Sequence, residues 1–383
     1  MKKGFSIANL ILSLYFICIC LIALFAFRRP HYNWDMLAYM ALVIKLEHND
    51  INQIHEITYS KAKEKVPPLE FSFLLGGQHR KLMAENAAAF YDQLPFYVVK
   101  PLYIGMIWFF NQVGFSLPIS TVLPSILFYL LIGLLLFHWL KKYLVAGVAF
   151  AATLLIMYSN FMVSIAREST PDCMSAFLLL SAFYFIIERP SFRMMSLFLI
   201  LSLFARIDNI ITSLVVISFL FYSKKRPLQV SFKQFLGILL ILVCCYFSIT
   251  FLLLPFGWNM WFYPQFAVHL NLSQGLHNTF SLKEYGALYY SKIITAIVYE
   301  HFSLFMLVII FIIGYSPTIK LSPFSSDQLF SILLLFIIIL RFIIFPELAD
   351  RFNIAYYLCA LILLIKKYAA PKNVLLMNHE LHR

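Results

Sequence analysis

The sequence predicts an all-α polytopic integral membrane protein with about ten transmembrane helices and a large first outer loop carrying membrane-surface helices. Three observations carry that prediction. The chain is 62% hydrophobic and only 13% charged, whereas soluble domains carry about a quarter charged residues. Its apolar residues come in long runs, near the roughly 20 residues that cross a bilayer. Lys and Arg recur in alternate short loops. Together these exclude a soluble enzyme, a secreted disulfide scaffold, a disordered chain and a coiled coil.

Hydropathy places spans at about 5–27, 117–139, 143–165, 171–187, 193–206, 208–223, 233–256, 293–315, 328–345 and 352–366. The run Phe5 to Phe27 is followed by Arg28-Arg29, not by a small-residue cleavage site, so it reads as a retained anchor. The fifth and sixth spans are short and read as a tight helical hairpin. The stretch 96–113 follows Pro95 and contains Pro101. It reads as a helix hugging the outer face, with a further span as the alternative. That span would invert everything after it and put Lys141-Lys142 and Lys224-Lys225-Arg226 outside. Residues 1–383 read as a single membrane domain with a cytoplasmic tail at about 367–383.

The net charge of +12 could signal nucleic acid. Here it follows from basic cytoplasmic loops, and no nucleic-acid partner is expected. With both termini cytoplasmic, the inner side receives Lys2, Lys3, Lys141, Lys142, Arg189, Arg193, Lys224, Lys225, Arg226, Lys233, Lys320, Lys366, Lys367 and Lys372, against Glu188, Asp327 and the tail Glu380. Short inner loops point to a bacterial inner (plasma) membrane. The six cysteines form no metal pattern or loop pair and read as apolar packing residues.

The first outer loop, about 28–116, holds eight of the chain's eighteen acids. Met36, Met40, Val43 and Ile44 recur at helical spacing, which predicts an amphipathic helix on the membrane surface. Turns are expected at Val66-Pro67-Pro68 and Gly76-Gly77. A second outer loop, about 257–291, clusters Trp258, Trp261, Phe262 and Tyr263. These read as an interfacial belt, with a stacking wall for sugar or lipid as the alternative.

Asp35 lies just beyond the first span, where a carboxylate reaches both a lipid-linked phosphate and a water-side acceptor. It is a candidate general base, or else a helix N-cap. Asp172, behind Pro171, stands at the outer mouth of the fourth span as a second acid or as a first-turn helix residue. Arg167, Arg206 and Arg351 are candidates for binding phosphate, for which a guanidinium is well shaped. Arg206 and Asp208 also suit a local ion pair. Arg341, in the ninth span, and Asp350 fall on the same face. A divalent cation held by Asp35 and Asp172 is a candidate cofactor. There is no P-loop, G-x-G-x-x-G, H-E-x-x-H or G-x-S-x-G, and His31, His48 and His55 have no metal spacing.

Trp34-Asp35 followed by Tyr39 resembles the first-loop acidic motif of the C-type glycosyltransferases. These polytopic enzymes use polyprenyl-phosphate-linked sugars, and include protein mannosyltransferases and lipid A aminoarabinose transferases. Gln93-Leu94-Pro95-Phe96-Tyr97 is similar to the family's proline-containing helix before the second span, with a single proline here. Thr170-Pro171-Asp172, Ala205-Arg206-Ile207-Asp208-Asn209 and Asp350-Arg351-Phe352 resemble later motifs, in order over about 5–366. The resemblance implies that Asp35 deprotonates an acceptor hydroxyl on a glycan, lipid or protein. The hydroxyl then displaces the lipid phosphate with inversion. The alternatives are a cell-envelope polysaccharide polymerase or ligase, and a non-enzymatic lipid or glycan transporter. A cluster at the outer interface argues against conduction, which would place charges near the midplane.

Overall fold

A computed structural model describes residues 7–223, 228–253, 282–314 and 324–369. Among these residues the regular elements are all helices, with one isolated bridge between His31 and Glu168. α1 (Ile7–Arg28) leads into a helical first loop. That loop contains α2 (Asp35–Ile44), α3 (Ile51–Lys65), α4 (Pro68–Leu74), α5 (Gln78–Glu85), α6 (Ala87–Tyr91), α7 (Pro95–Val98) and α8 (Pro101–Gln112). The bundle continues with α9 (Leu117–Leu140), α10 (Ala146–Tyr158), α11 (Asn160–Arg167) and α12 (Asp172–Ile187). Next come α13 (Phe192–Ala205), α14 (Asn209–Tyr222) and α15 (Phe232–Leu253). Last are α16 (Leu282–Val298), α17 (Phe302–Gly314), α18 (Ser326–Ile344) and α19 (Asp350–Tyr368).

Every expected span contains helix, but length and composition single out four as able to cross a membrane: α1 from Leu10, α9, α15 and α18. Counting the bent pairs α10–α11 and α16–α17 as one span each gives six. α12, α13 and α14 have 16, 14 and 14 residues, short of the roughly 20 that a straight crossing needs. At Ser159 the backbone becomes extended and the side chain caps Met162 N–H, bending α10–α11 by 58°. α16–α17 bend by 72°. α16 already begins at Leu282, so the last ten residues of the expected second outer loop, 282–291, are helical. Polar Lys283 and Glu284 hide that start from a hydropathy reading. Trp258, Trp261, Phe262, Tyr263, Lys224-Lys225-Arg226, Lys320 and the tail from 370 lie outside the described residues.

The clearest departure from expectation is α2. It is not a surface helix, because every residue from Met36 to Ile44 is buried. Met-Leu-Ala-Tyr-Met-Ala-Leu-Val-Ile is apolar on all faces, which suits a helix enclosed by others. α3, α7, α8 and α9 enclose it. α8 is twelve residues long, too short to cross, with Trp108 and Phe109 exposed. The expected turns are present: α3 ends at Val66, and Gly77 precedes α5 with φ +82° and ψ 155°, a conformation largely reserved for glycine.

α12 is the central helix, mostly buried against α9, α13 and α19. Asp172 starts it. At its other end Glu188 accepts from Lys142 at 3.2 Å and from Tyr143, while nearby Lys366 donates to Asp327 at 3.0 Å. Sixteen residues separate the two charged ends by about 24 Å. The bundle presents apolar side chains outward, among them Leu21, Leu240 and Phe251.

α1 packs closely on α9 at Gly133, whose carbonyl accepts from Tyr15 Oη at 2.7 Å. A Cβ at Gly133 would lie 3.0 Å from Ile19 Cδ1 and 3.0 Å from Tyr15 Oη. Gly133→Val is expected to cost about 1–3 kcal/mol by overpacking, measured as a lower thermal midpoint in detergent.

Candidate functional site

The turn between α13 and α14 carries two opposite charges two residues apart. Arg206 pairs with Asp208 through Nε–Oδ1 at 3.0 Å and Nη2–Oδ2 at 3.2 Å. Its Nη1 also donates to Asp172, and its guanidinium lies 4.1 Å from the Phe352 ring centre. Arg341 approaches Asp208 from α18, and its Nη1 donates to Phe352 O at 3.0 Å on α19. The chain Asp172–Arg206–Asp208–Arg341 therefore joins α12, the hairpin and α18, and reaches α19 through Phe352. Buried ions persist only when paired. Burial would raise the Asp208 carboxyl, but the Arg206 and Arg341 guanidiniums outweigh it and hold the group below the usual carboxylate range.

Beside this chain lies a cavity of about 580 Å³. Asp35, at the start of α2, accepts from Tyr97 Oη at 3.0 Å. Among the described residues it forms no ion pair. Lys100, between α7 and α8, donates to Tyr39 Oη at 2.9 Å and lies 4.9 Å from the Tyr97 ring centre. Burial lowers its ammonium to about 8, against the opposing pull of Asp35. Arg351 is loosely held, 3.9 Å from both Glu168 and Asp172. Lys292 pairs with Glu347 across the cavity wall. The starts of α2, α12, α14 and α19 all face this space, where helix dipoles favour anions. An apolar groove of about 210 Å³ between α16, α17 and α18 adjoins it, and Ile338 and Leu348 line both.

Of the residues singled out in the sequence, Asp35, Asp172, Arg206 and Arg351 converge on the cavity. Arg167 does not line it. Its Nε donates to Arg29 O, and its carbonyl accepts from His31 N–H at 2.8 Å, so it ties the end of α1 to α11. Arg206 is held between two carboxylates. Asp35 is not an N-cap: that position is Trp34, and Asp35 is the first helical residue. The Asp35–Asp172 pair fits a divalent cation poorly. Asp172 is engaged by Arg206, and no group of three or more His, Cys, Asp or Glu converges among the described residues. Lys100 and Lys292 line the cavity without being among the residues singled out in the sequence, where Tyr97 stands only as part of the motif at 93–97. A lone lysine inside the apolar stretch 96–113 was the available signal for Lys100.

No family model, curated protein or solved structure matches this chain.

Asp208→Asn is expected to destabilise the fold by about 3–5 kcal/mol, since it removes one partner from a buried ionic chain. Because the folded-state carboxyl is depressed, its contribution is present above the ordinary value of about 3.9 and is lost only as pH falls through the folded value. The wild-type–variant gap in thermal midpoint is therefore expected to stay constant from about pH 8 down to about pH 5.

Proposed function

We propose that this chain is a C-type membrane glycosyltransferase. It transfers a sugar from a polyprenyl-phosphate donor to an acceptor hydroxyl at the outer face of a bacterial inner membrane. One observation supports this best. A single cavity combines a carboxylate without an ion-pair partner, two cations that no carboxylate holds tightly, and an adjoining apolar groove. That set suits a substrate with an anionic head and an apolar tail next to a site of proton removal. The charged ends of α12 favour the ten-span topology with both termini inside, the cavity opening outward and Lys142 and Lys366 lying inward.

In this reading Asp35 takes the proton from the acceptor hydroxyl. The oxygen attacks the anomeric carbon as the bond to the lipid phosphate oxygen breaks. That bond's electron pair leaves with the phosphate. Lys100 and Arg351 bind the phosphate and stabilise its gathering charge. Displacement in one step inverts the anomeric centre. Asp172 holds Arg206 and draws Arg351 into place. Tyr97 orients the Asp35 carboxylate.

The test is sugar transfer by purified protein in nanodiscs, using radiolabelled polyprenyl-phosphate sugars. Wild type is expected to release lipid phosphate, and Asp35→Asn to lose about 10²–10⁴-fold in rate with normal protein level. Full activity in Asp35→Asn would remove this mechanism. Lys100 adds a pH signature, because only its protonated form attracts the donor. The KM for donor is expected to rise as pH passes about 8. Lys100→Arg, which stays protonated, is expected to abolish that rise.

A further inference from the structure

Outside the cavity, the break between α16 and α17 is bracketed to the start of α19. The His301 N–H donates to Asp350 Oδ1 at 2.8 Å, and the His301 ring Nδ1 meets Asp350 Oδ2. In return, the Asp350 N–H donates to Glu300 Oε2 at 2.8 Å. The bend and the first turn of α19 thus cap each other. The Asp350 side chain is 7% exposed, whereas the His301 side chain is 55% exposed.

The two sides of the bracket are unequally anchored. α19 is fixed in the core: Phe352 O accepts from Arg341, and Asn353 Nδ2 donates to Leu348 O at 3.3 Å. α16 is peripheral, with Ile293, Ile297 and Val298 exposed and Ala296 buried. Apart from the bracket, polar contacts hold it at Lys292–Glu347 and through Tyr285 and Tyr289, which donate to Ile343 O. Yet α16 supplies Lys292 to the cavity and Ile293, Ala296 and Ile297 to the groove. Arg351, next to Asp350, lines the same cavity as Lys292 from α19.

We propose that Glu300 and His301 are positioning residues that hold α16 against α19, so that the groove wall stands in register with Arg351 and the two together seat the tail and head of an isoprenyl phosphate. This rests on the reading of the donor as a lipid phosphate and specifies what makes head and tail bind as one. Removing the imidazole leaves the Asp350 carboxylate short of a partner, and an under-satisfied buried carboxylate drives rearrangement. The peripheral helix is the side free to move.

The experiment uses the full chain in nanodiscs, with farnesyl monophosphate as probe and inorganic phosphate as the headgroup-only arm. His301→Ala removes the ring donor. His301→Asn keeps a side-chain N–H at the Nδ1 position. Glu300→Ala, at the exposed bend, removes the acceptor for Asp350 N–H. The Kd for farnesyl phosphate is expected to rise roughly tenfold in both alanine variants and to return to within about threefold of wild type in His301→Asn. Amide exchange at 299–302 is expected to quicken in the same variants, and inorganic phosphate is expected to lose less affinity. Unchanged farnesyl phosphate binding despite quicker exchange would overturn the proposal, because the bracket would then serve the fold alone. So would equal losses in His301→Ala and His301→Asn, equal losses on both probes, or no probe binding to wild type. Turnover plays no part in these readouts. A chain that binds the probe but transfers no sugar would defeat the transferase reading and leave the bracket standing.

Discussion

The alternating chain Asp172–Arg206–Asp208–Arg341 is the interaction on which the rest depends. Its members come from three distant stretches of sequence, and none is well solvated. An isolated buried ion costs several kcal/mol even after relaxation, so each charge constrains where its neighbour's helix must stand. The α13–α14 turn must lie against the start of α12, and α18 must bring Arg341 alongside. α19 follows, because Arg341 also donates to its Phe352 carbonyl. The cavity is the space left beside these helix ends.

That chain also decides which charges remain free for chemistry. Five cations line the cavity against four acids: Lys100, Arg206, Lys292, Arg341 and Arg351 face Asp35, Asp172, Asp208 and Glu347. Arg206 and Arg341 neutralise Asp208, Arg206 engages Asp172, and Lys292 takes Glu347. Among the described residues Lys100 and Arg351 are left without a close carboxylate, and Asp35 forms no ion pair. A carboxylate and two cations can then coexist at close range without cancelling. The apolar groove sits on the α16–α18 side, so the cavity is polar at one end and apolar at the other.

Parts of this site were legible in the sequence for a plain reason. Charges are rare in a chain that is 13% charged, and those falling at span ends on one face have few other tasks. Asp35, Asp172, Arg206 and Arg351 are charges of this kind. Arg167 met the same criterion, but a guanidinium's partner depends on where the neighbouring backbone runs, and here the nearest acceptor is Arg29 O. Lys100 is not legible in this way, because a lysine in an apolar stretch looks like a boundary marker until aromatic rings are seen beside it. The periodic residues of α2 resemble one stripe of a surface helix. The residues between them, Leu37, Ala38, Tyr39, Ala41 and Leu42, are equally apolar and equally buried.

By itself, the sequence determined the helical class, the approximate place of each apolar helix, the turns at Pro67 and Gly77, and the concentration of charge at helix ends. These follow from local rules: apolar run length, side-chain periodicity, and the backbone limits of proline and glycine. Only the tertiary structure decided that α2 is enclosed, that α10–α11 and α16–α17 bend, which ions pair, and which are left over. Those outcomes depend on contacts between residues tens to hundreds of positions apart, such as Arg341 with Asp208. A one-dimensional pattern carries no distance between such residues, whereas packing and the penalty on unpaired buried charge supply it.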